Sequence, residues 1–204
     1  MTANAFPEEL LACRERLLHE GLDPCRAGSI STREEDSDVW WFLAMHGDQV
    51  LNGRVLVEHR GSDSVHARSV VEDGRSHQAF YSAFPAIQAV AHFHSAAAVA
   101  WSQSGRDLPC FGTTQCHEFH GLIPCARQER GLGQGASMVE AILRREWDPA
   151  RHPGLLACGD GPWVWGSGVE DLVRRAKTLE FSARAALDTL TLNPNATPIS
   201  PHDS

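Results

Sequence analysis

Apolar residues along this chain recur at helical spacing in some segments and in short continuous runs in others. Leucines at helical spacing predict a first helix from Pro7 to Gly21, and a last helix begins after Ser167, where capping-box spacing to Glu170 marks its start. Short apolar or aromatic runs bounded by turn residues predict strands. The predicted strands cover residues 26–31, 39–45, 49–51, 54–58, 86–93, 123–126, 155–158 and 163–165. The predicted intervening helices cover residues 76–84, 96–104 and 136–147.

One predicted strand carries candidate chemistry. The run from Ala89 to Ala96 is apolar or small except for His92 and His94, which are two residues apart. Because side chains alternate faces along a strand, both imidazoles point to one side and Phe93 to the other. Two imidazoles at the end of a buried strand are the start of a metal site, although the same pattern also fits two hydrogen-bonded structural histidines.

Composition and charge narrow the class of protein. The chain has 204 residues, 42% of them hydrophobic and 22% charged, which is typical of one globular domain with a substantial core. A formal net charge of -8, with no cluster of Lys or Arg, argues against a nucleic-acid or anionic-membrane partner. No apolar stretch approaches about 18 residues and no basic-then-apolar leader is present, so we expect a cytoplasmic chain.

Several short motifs occur in an order that is typical of one family. The motifs are Tyr81-Ser82-Ala83-Phe84-Pro85, His92-Phe93-His94-Ser95, Asp107-Leu108-Pro109, Phe111-Gly112-Thr113-Thr114, Phe119-His120-Gly121-Leu122-Ile123-Pro124-Cys125, Gly161-Pro162-Trp163-Val164-Trp165-Gly166 and Leu192-Asn193-Pro194. With them the chain resembles the class II aldolase/adducin family, and within it the L-ribulose-5-phosphate 4-epimerases, over residues 70–194. Residues 7–60 follow the family's order of elements only weakly.

The resemblance implies an α/β fold, a three-layer α/β/α domain around a largely antiparallel central sheet. We assign this domain to residues 1–194 and expect residues 195–204, rich in Pro, Ser and Asp, to be a disordered tail. The resemblance also implies a homotetramer with active sites at subunit interfaces. The family's enzymes are lyases and isomerases that hold a divalent metal, often zinc, with three histidines, and the metal stabilises an enediolate of the substrate.

The same resemblance maps a metal site onto three residues. His92 and His94 match the first two metal ligands, while the third family histidine is replaced by Asp160 in a Gly-Asp-Gly-Pro turn. Two imidazoles and one carboxylate suit zinc, which we expect, and also Mn²⁺ or Fe²⁺. The alternative interpretation of Asp160 is a residue that only caps its turn.

Four further residues are candidates for catalysis. Asp73 matches the acidic residue that the family places beside the metal, as a ligand or general base, and its alternative role is the N-cap of the helix predicted at 76–84. His117 matches the epimerases' catalytic aspartate, and a neutral imidazole is suited to the same proton transfer. Glu118 and His120 lie beside it and are candidates for the same cleft.

The positions that bind the substrate in the family differ here. The matching residues are Gly28, Ser29, Ser31 and Gly47. They keep two hydroxyls but lose the asparagine of the family's phosphate-binding turn. The paired serines before the acidic residue are replaced by Val71 and Glu72, and an acid at that point repels a phosphate. We therefore expect a substrate that is not phosphorylated.

Together these features favour a divergent metal-dependent lyase or epimerase that acts on a small oxygenated molecule. The expected reactions are retro-aldol cleavage, decarboxylation or epimerisation through a metal-bound enolate. A non-haem Fe(II) oxygenase is an alternative, because such enzymes use the same two-histidine, one-carboxylate set. A non-catalytic binding member of the family is a second alternative, because several catalytic positions have changed.

Overall fold

The computed structural model describes residues 5–34, 37–58 and 65–200, and these contain one seven-stranded sheet and seven helices. The strands are β1 Ser29–Arg33, β2 Trp40–Ala44, β3 Leu51–Asn52, β4 Ala89–His92, β5 Cys125–Ala126, β6 Gly154–Ala157 and β7 Pro162–Gly166. The helices are α1 Ala5–His19, α2 Gly53–Glu58, α3 Val65–Ala83, α4 Ala96–Ser104, α5 Thr113–Phe119, α6 Gln134–Leu143 and α7 Val169–Leu192.

The sheet has the strand order β3-β2-β1-β4-β7-β6-β5, and every neighbouring pair is antiparallel except β5 and β6. Strand β4 lies in the middle, paired with residues 29–32 of β1 on one side and 163–166 of β7 on the other. A strand with partners on both sides has its backbone polar groups satisfied and can be fully buried. The prediction of a largely antiparallel central sheet is confirmed.

Helices cover both faces of this sheet. One face carries α1, α4 and α7, which share an apolar core with Ala89, Ala91 and Phe93. The opposite face carries α2, α3 and α6, which share a second core with Val90. His92 points to this second face, towards α3, as the alternation along a strand predicts. The three-layer α/β/α architecture is confirmed.

The prediction of a strand at residues 54–58 is wrong, because that segment belongs to α2. The sequence Asn52-Gly53 resembles a hairpin turn, but Asn52 Oδ1 accepts a hydrogen bond from the backbone N–H of Val55 at 3.4 Å. An asparagine that accepts from the third residue after it acts as a helix N-cap. Gly53 permits a close approach, since a Cβ there would lie 2.1 Å from the Trp40 ring.

Helix α3 has 19 residues and begins well before the start predicted at residue 76. Its C-terminal half buries Phe80 and Tyr81, and the same stripe continues backwards at helical spacing through polar side chains. These buried polar members are Asp73, Ser76 and His77. Because Asp73 lies inside the helix, its alternative role as an N-cap is wrong.

One further helix and one helix cap differ from the predictions. Helix α5 is not predicted by the sequence, because its seven residues are too short for a clear apolar stripe. Helix α7 begins at Val169 as expected, but Asp171 rather than Glu170 closes its first turn. Asp171 Oδ2 accepts hydrogen bonds from the backbone N–H of Ser167 at 3.0 Å and from its hydroxyl at 2.9 Å.

Beyond α7 the chain turns after Asn193 and returns to the domain. The N–H of Ile199 donates to the carbonyl oxygen of Cys110 at 2.8 Å. Residues 201–204 lie outside the described residues, and the assignment of the domain to residues 1–194 stays a prediction. Among the described helices, none is long and apolar enough to span a membrane.

Candidate metal centre

His92 is the last residue of β4, and it is only 2% exposed. Its ring stacks on the indole of Trp163, its pairing partner on β7, with centroids 4.5 Å apart and planes 9° apart. Two glycines allow the backbone to pass close by. A Cβ on Gly28 would lie 2.1 Å from the His92 carbonyl oxygen, and one on Gly161 would lie 3.3 Å from His92 Nε2. Strand pairing and stacking therefore fix the orientation of this imidazole.

Two turns complete the group around His92. His94 lies beyond the end of β4, before α4, with its side chain 19% exposed. Asp160 lies in the turn between β6 and β7, where Gly159 adopts a φ of +80° that side chains disfavour and Asp160 N–H donates to the Ala157 carbonyl oxygen at 3.0 Å. Each of the three residues offers one ligand atom, and these atoms lie within 4.8 Å of one another.

The contacts among these three side chains fit a cation between them. His92 Nε2 is 3.2 Å from Asp160 Oδ2, and His94 Nε2 is 3.6 Å from Asp160 Oδ1. His92 Nε2 is buried, yet it makes no hydrogen bond within the described part of the chain. Buried polar atoms are normally hydrogen-bonded, so a buried imidazole nitrogen that converges on a carboxylate without such a bond is well placed to bind a metal.

Each histidine presents its other nitrogen to a buried aspartate. His92 Nδ1 is 3.2 Å from Asp73 Oδ2, and His94 Nδ1 is 3.5 Å from Asp23 Oδ1. Histidines that bind metals commonly donate their second ring N–H to a carboxylate, which fixes the tautomer and the ring orientation. The arrangement therefore directs Nε2 of both histidines towards Asp160.

Asp23 and Gln134 were not among the residues predicted from the sequence. Asp23 is wholly buried, with Oδ2 accepting from the N–H of Gly28 at 3.0 Å and Oδ1 accepting from the N–H of His94 at 3.2 Å. Gln134, the first residue of α6, donates from Nε2 to Asp160 Oδ2 at 2.6 Å. An aspartate before a proline has the pattern of an ordinary turn residue, and a glutamine at a helix start carries no metal signal.

The carboxylates around the histidines favour positive charge at this point. Burial alone lowers the pKa of His92, but the nearby carboxylates of Asp73 and Asp160 raise it to about 10. Burial alone raises the pKa of Asp160, yet the close approach of the two histidines holds that pKa well below its usual range. A site that stabilises buried positive charge in this way also suits a divalent cation.

The candidate ligands line a cavity of about 730 Å³. Asp73 of α3 lies on its wall, together with the exposed side chains of Glu72 and Arg75. Residues 133–136, at the start of α6, form another part of the wall. A cavity of this size admits a small molecule beside the candidate metal ligands.

The four residues predicted to bind substrate are not among the residues that line this cavity. Ser29 and Ser31 are buried, and their hydroxyls form hydrogen bonds with buried side chains of α3. Gly28 packs against the backbone of β4, and the carbonyl oxygen of Gly47 accepts a hydrogen bond from Arg14. The role of all four in substrate binding stays a prediction.

The candidates around His117 lie on α5, away from the cavity wall. His117 is exposed to solvent. Glu118 forms ion pairs with Arg174 and, at 3.0 Å, with Arg175 of α7. His120 follows the last turn of α5 in the left-handed conformation, with a φ of 51°. Within a single chain these residues are not brought to the candidate metal centre.

Comparison with known proteins identifies the family. Residues 8–187 match the Class II Aldolase and Adducin N-terminal domain, so this chain belongs to the class II aldolase/adducin family. The chain is 35% identical over 135 residues to L-ribulose-5-phosphate 4-epimerase UlaF of Salmonella paratyphi A (strain ATCC 9150 / SARB42). That match covers 62% of this chain and 58% of the length of the curated relative. The resemblance seen in the sequence is confirmed.

Solved structures confirm the fold. An L-fuculose 1-phosphate aldolase superposes with a TM-score of 0.75 at 12% identity, covering 98% of this chain and 92% of that protein. The L-fuculose-1-phosphate aldolase from Thermus thermophilus gives a TM-score of 0.69 at 18% identity, covering 95% of this chain and 98% of that protein. At these identities the likeness extends to the fold alone.

Proposed function

We propose that this protein is a lyase or isomerase that depends on a divalent metal held by His92 Nε2, His94 Nε2 and the Asp160 carboxylate. The observation that carries this proposal is the convergence of the three ligand atoms within 4.8 Å, beside buried carboxylates. The match to relatives that are named as epimerases supports the reaction class. Zinc suits this donor set, and Mn²⁺ or Fe²⁺ also binds two imidazoles and a carboxylate.

The chemistry divides between the metal and the chain. A bound divalent cation polarises a carbonyl or hydroxyl group and stabilises negative charge on its oxygen, which cleavage, decarboxylation and epimerisation beside a carbonyl all require. The chain holds the small substrate in the cavity of about 730 Å³ and orients the ligands through Asp73 and Asp23. A second group of the protein must move a proton.

We infer that His117 moves this proton in a homotetramer. A neutral imidazole is suited to proton transfer near neutral pH. Since His117 is exposed on α5, away from the cavity of its own chain, it can serve only the cavity of a neighbouring copy. The proposed site therefore lies between subunits, and a symmetric oligomer supplies its two halves.

The proposed substrate is a small oxygenated molecule without a phosphate. The hydroxyls of Ser29 and Ser31 are already hydrogen-bonded inside the protein, so they are poor donors for a phosphate. The exposed carboxylate of Glu72 on the cavity wall repels a dianion and offsets the charge of Arg75 on the same wall. Both features support recognition of an uncharged or weakly charged sugar-like molecule.

Metal analysis of protein purified without chelators tests the metal centre. We expect about one divalent ion per chain, as for a three-ligand catalytic site. The double variant His92→Ala/His94→Ala should retain none. His19→Ala, at the exposed end of α1, is the matched control and should keep the full content. Full metal content in the double variant would overturn the proposal.

A non-haem Fe(II) oxygenase is a second candidate function. The specific observation that favours it is the set of two imidazoles and one carboxylate, which those enzymes share. Oxygen consumption that requires Fe²⁺ and a small organic substrate would favour this candidate over the lyase or isomerase. Metal binding without any turnover would instead favour a binding protein.

A further inference from the structure

A continuous chain of buried hydrogen bonds runs behind the candidate metal centre. From Asp73 it passes to Ser29 at 2.7 Å, then to His77 at 2.9 Å, to Ser31 at 2.6 Å and to Tyr81 at 2.7 Å. None of these five side chains belongs to a residue more than 8% exposed. The chain thus links one wall of the cavity to the buried end of α3.

The direction of every hydrogen bond in this chain follows from the carboxylate. A carboxylate only accepts, so the Ser29 hydroxyl donates to Asp73 Oδ2, and the Ser29 oxygen accepts from His77 Nε2–H. Burial lowers the pKa of His77 to about 3, so its ring is neutral and carries one proton. His77 Nδ1 must then accept from the hydroxyl of Ser31, whose oxygen accepts from Tyr81.

We propose that Asp73 Oδ2 is a positioning group for the metal ligand His92 and is itself held by this one-way series of hydrogen bonds. The inference rests on the metal centre proposed above. Asp73 Oδ2 accepts from Ser29 and lies 3.2 Å from His92 Nδ1, so it is committed to directing Nε2 towards Asp160. These two contacts occupy Oδ2, so any proton transfer by Asp73 would have to use Oδ1.

The hydrogen bond from His77 to Ser29 is needed to fix the Ser29 proton, because a serine hydroxyl rotates freely between partners. The His77 Nε2–H occupies a lone pair of the Ser29 oxygen and leaves the Ser29 proton pointing at Asp73. The His77 ring is itself packed between Phe42 and Trp163, with centroids 5.3 Å and 5.1 Å away. The aromatic rings therefore fix the His77 imidazole, and two hydrogen bonds, from His77 to Ser29 and from Ser29 to Asp73, fix the carboxylate behind the candidate metal centre.

Nitrogen NMR of protein labelled on its histidines tests the chain without any assay of activity. The signal that disappears in His77→Gln identifies His77 among the 11 histidines. We expect a neutral ring protonated at Nε2, with Nδ1 as the acceptor, throughout the neutral pH range. A His77 ring protonated at Nδ1, or at both nitrogens, would contradict the proposed directions of these hydrogen bonds.

Zinc affinity, measured by competition with a chromophoric chelator, tests the positioning role. Asp73→Asn should weaken zinc binding about 10–100-fold, the usual effect of removing the partner of a ligating histidine. Ser29→Ala should weaken it less, and Ser29→Thr, which keeps the hydroxyl, should restore it. Asp188→Asn, which removes an exposed carboxylate from α7, is the control and should bind zinc like the wild type.

The outcomes separate this inference from the metal centre on which it rests. Wild-type zinc affinity in Asp73→Asn would overturn the inference, and lost turnover in that variant would then point to Asp73 as the base. If Asp73→Asn does not fold, the pair Ser29→Ala and Ser29→Thr decides the matter in the same assay. If the wild type binds no zinc, the proposed function fails. The position of the proton on His77 still supports or contradicts the proposed series of hydrogen bonds.

Discussion

The cavity beside β4 and the surface of α5 both carry clusters of titratable side chains, but the two clusters differ in burial and in pairing. In the cavity, His92 is 2% exposed, and its two ring nitrogens face the carboxylates of Asp73 and Asp160. On α5, His117 is exposed, and Glu118 is tied to the arginines of α7. Burial and fixed partners create a site suited to a cation, whereas an exposed group can contact a neighbouring molecule.

This difference bears on whether the two clusters can act in one reaction. The candidate metal centre takes all of its proposed ligands and their orienting partners from one chain. The titratable side chains on the surface of α5 do not form a comparable group of converging ligands, since His117 faces solvent. If both clusters serve one reaction, a neighbouring subunit has to supply the second.

Among the single substitutions considered in this section, removing the imidazole of His117 should have the largest effect on activity. His117→Ala is expected to lower turnover about 10²–10⁴-fold, the usual contribution of a proton-transferring side chain, and to leave metal content unchanged. Turnover is measured on a substrate found by screening small hydroxyketones and hydroxy acids, and metal content is measured on the same sample. Unchanged turnover would remove His117 from the reaction.

Mixed oligomers test whether the two clusters meet between subunits. Subunits with His92→Ala/His94→Ala and subunits with His117→Ala are each expected to be inactive alone. In a randomly mixed oligomer, about a quarter of the sites would combine one intact cavity with one intact α5, and activity should return accordingly. Light scattering establishes the oligomer. Mixed oligomers that stay inactive would contradict a shared site.

The extent to which sequence predicts this site depends on the kind of residue. The paired His92 and His94 are recognisable because a strand places alternate residues on one face and an apolar run marks it as buried. Asp23 and His77 are not recognisable in the sequence, because their roles depend on distant partners. Asp23 contacts His94, which is 71 residues away in the chain, and His77 contacts Ser29, which is 48 residues away. Local pattern reports periodicity and turns, whereas such long-range pairing appears only in the folded chain.

The same limit explains the errors in the elements. Helix α3 begins earlier than predicted because its buried stripe changes from aromatic to polar residues at His77, and polar residues do not signal burial in a sequence. Helix α2 replaced a predicted strand because Asn52 can begin either a hairpin turn or a helix. In both cases the tertiary environment selects between two locally acceptable conformations.

The buried cluster should also give the protein a distinctive dependence on pH. Burial lowers the pKa of His77 to about 3 from 6.5. Between these values the unfolded chain binds a proton that the folded chain does not, so the free energy of unfolding falls as the pH falls. One such group contributes a slope of about 1.4 kcal/mol per pH unit. His77→Gln should therefore show a flatter curve between about pH 6 and pH 4 in denaturant unfolding.

The matched control for this measurement is His19→Gln, because His19 is exposed and its replacement should preserve the slope. The pKa values of Asp73 and Asp160 are held below their usual range. These carboxylates weaken the fold in the same direction at still lower pH, in the wild type and in both variants. Parallel curves for wild type and His77→Gln would contradict a buried neutral imidazole at this position.

Removing the charge of Glu118 should have the smallest effect, and on stability rather than on metal binding. Glu118 and Arg175 are each 14% exposed, and Arg174 adds a second, more exposed partner. A partly buried pair is worth more than a surface one but less than a fully buried one, so Glu118→Gln should lower the free energy of unfolding by about 1 kcal/mol. Glu170→Gln, which breaks an exposed pair, should cost less.

Both variants should keep full metal content, because α5 is separate from the candidate metal centre within one chain. Loss of metal in Glu118→Gln alone would show that the surface of α5 and the cavity are coupled.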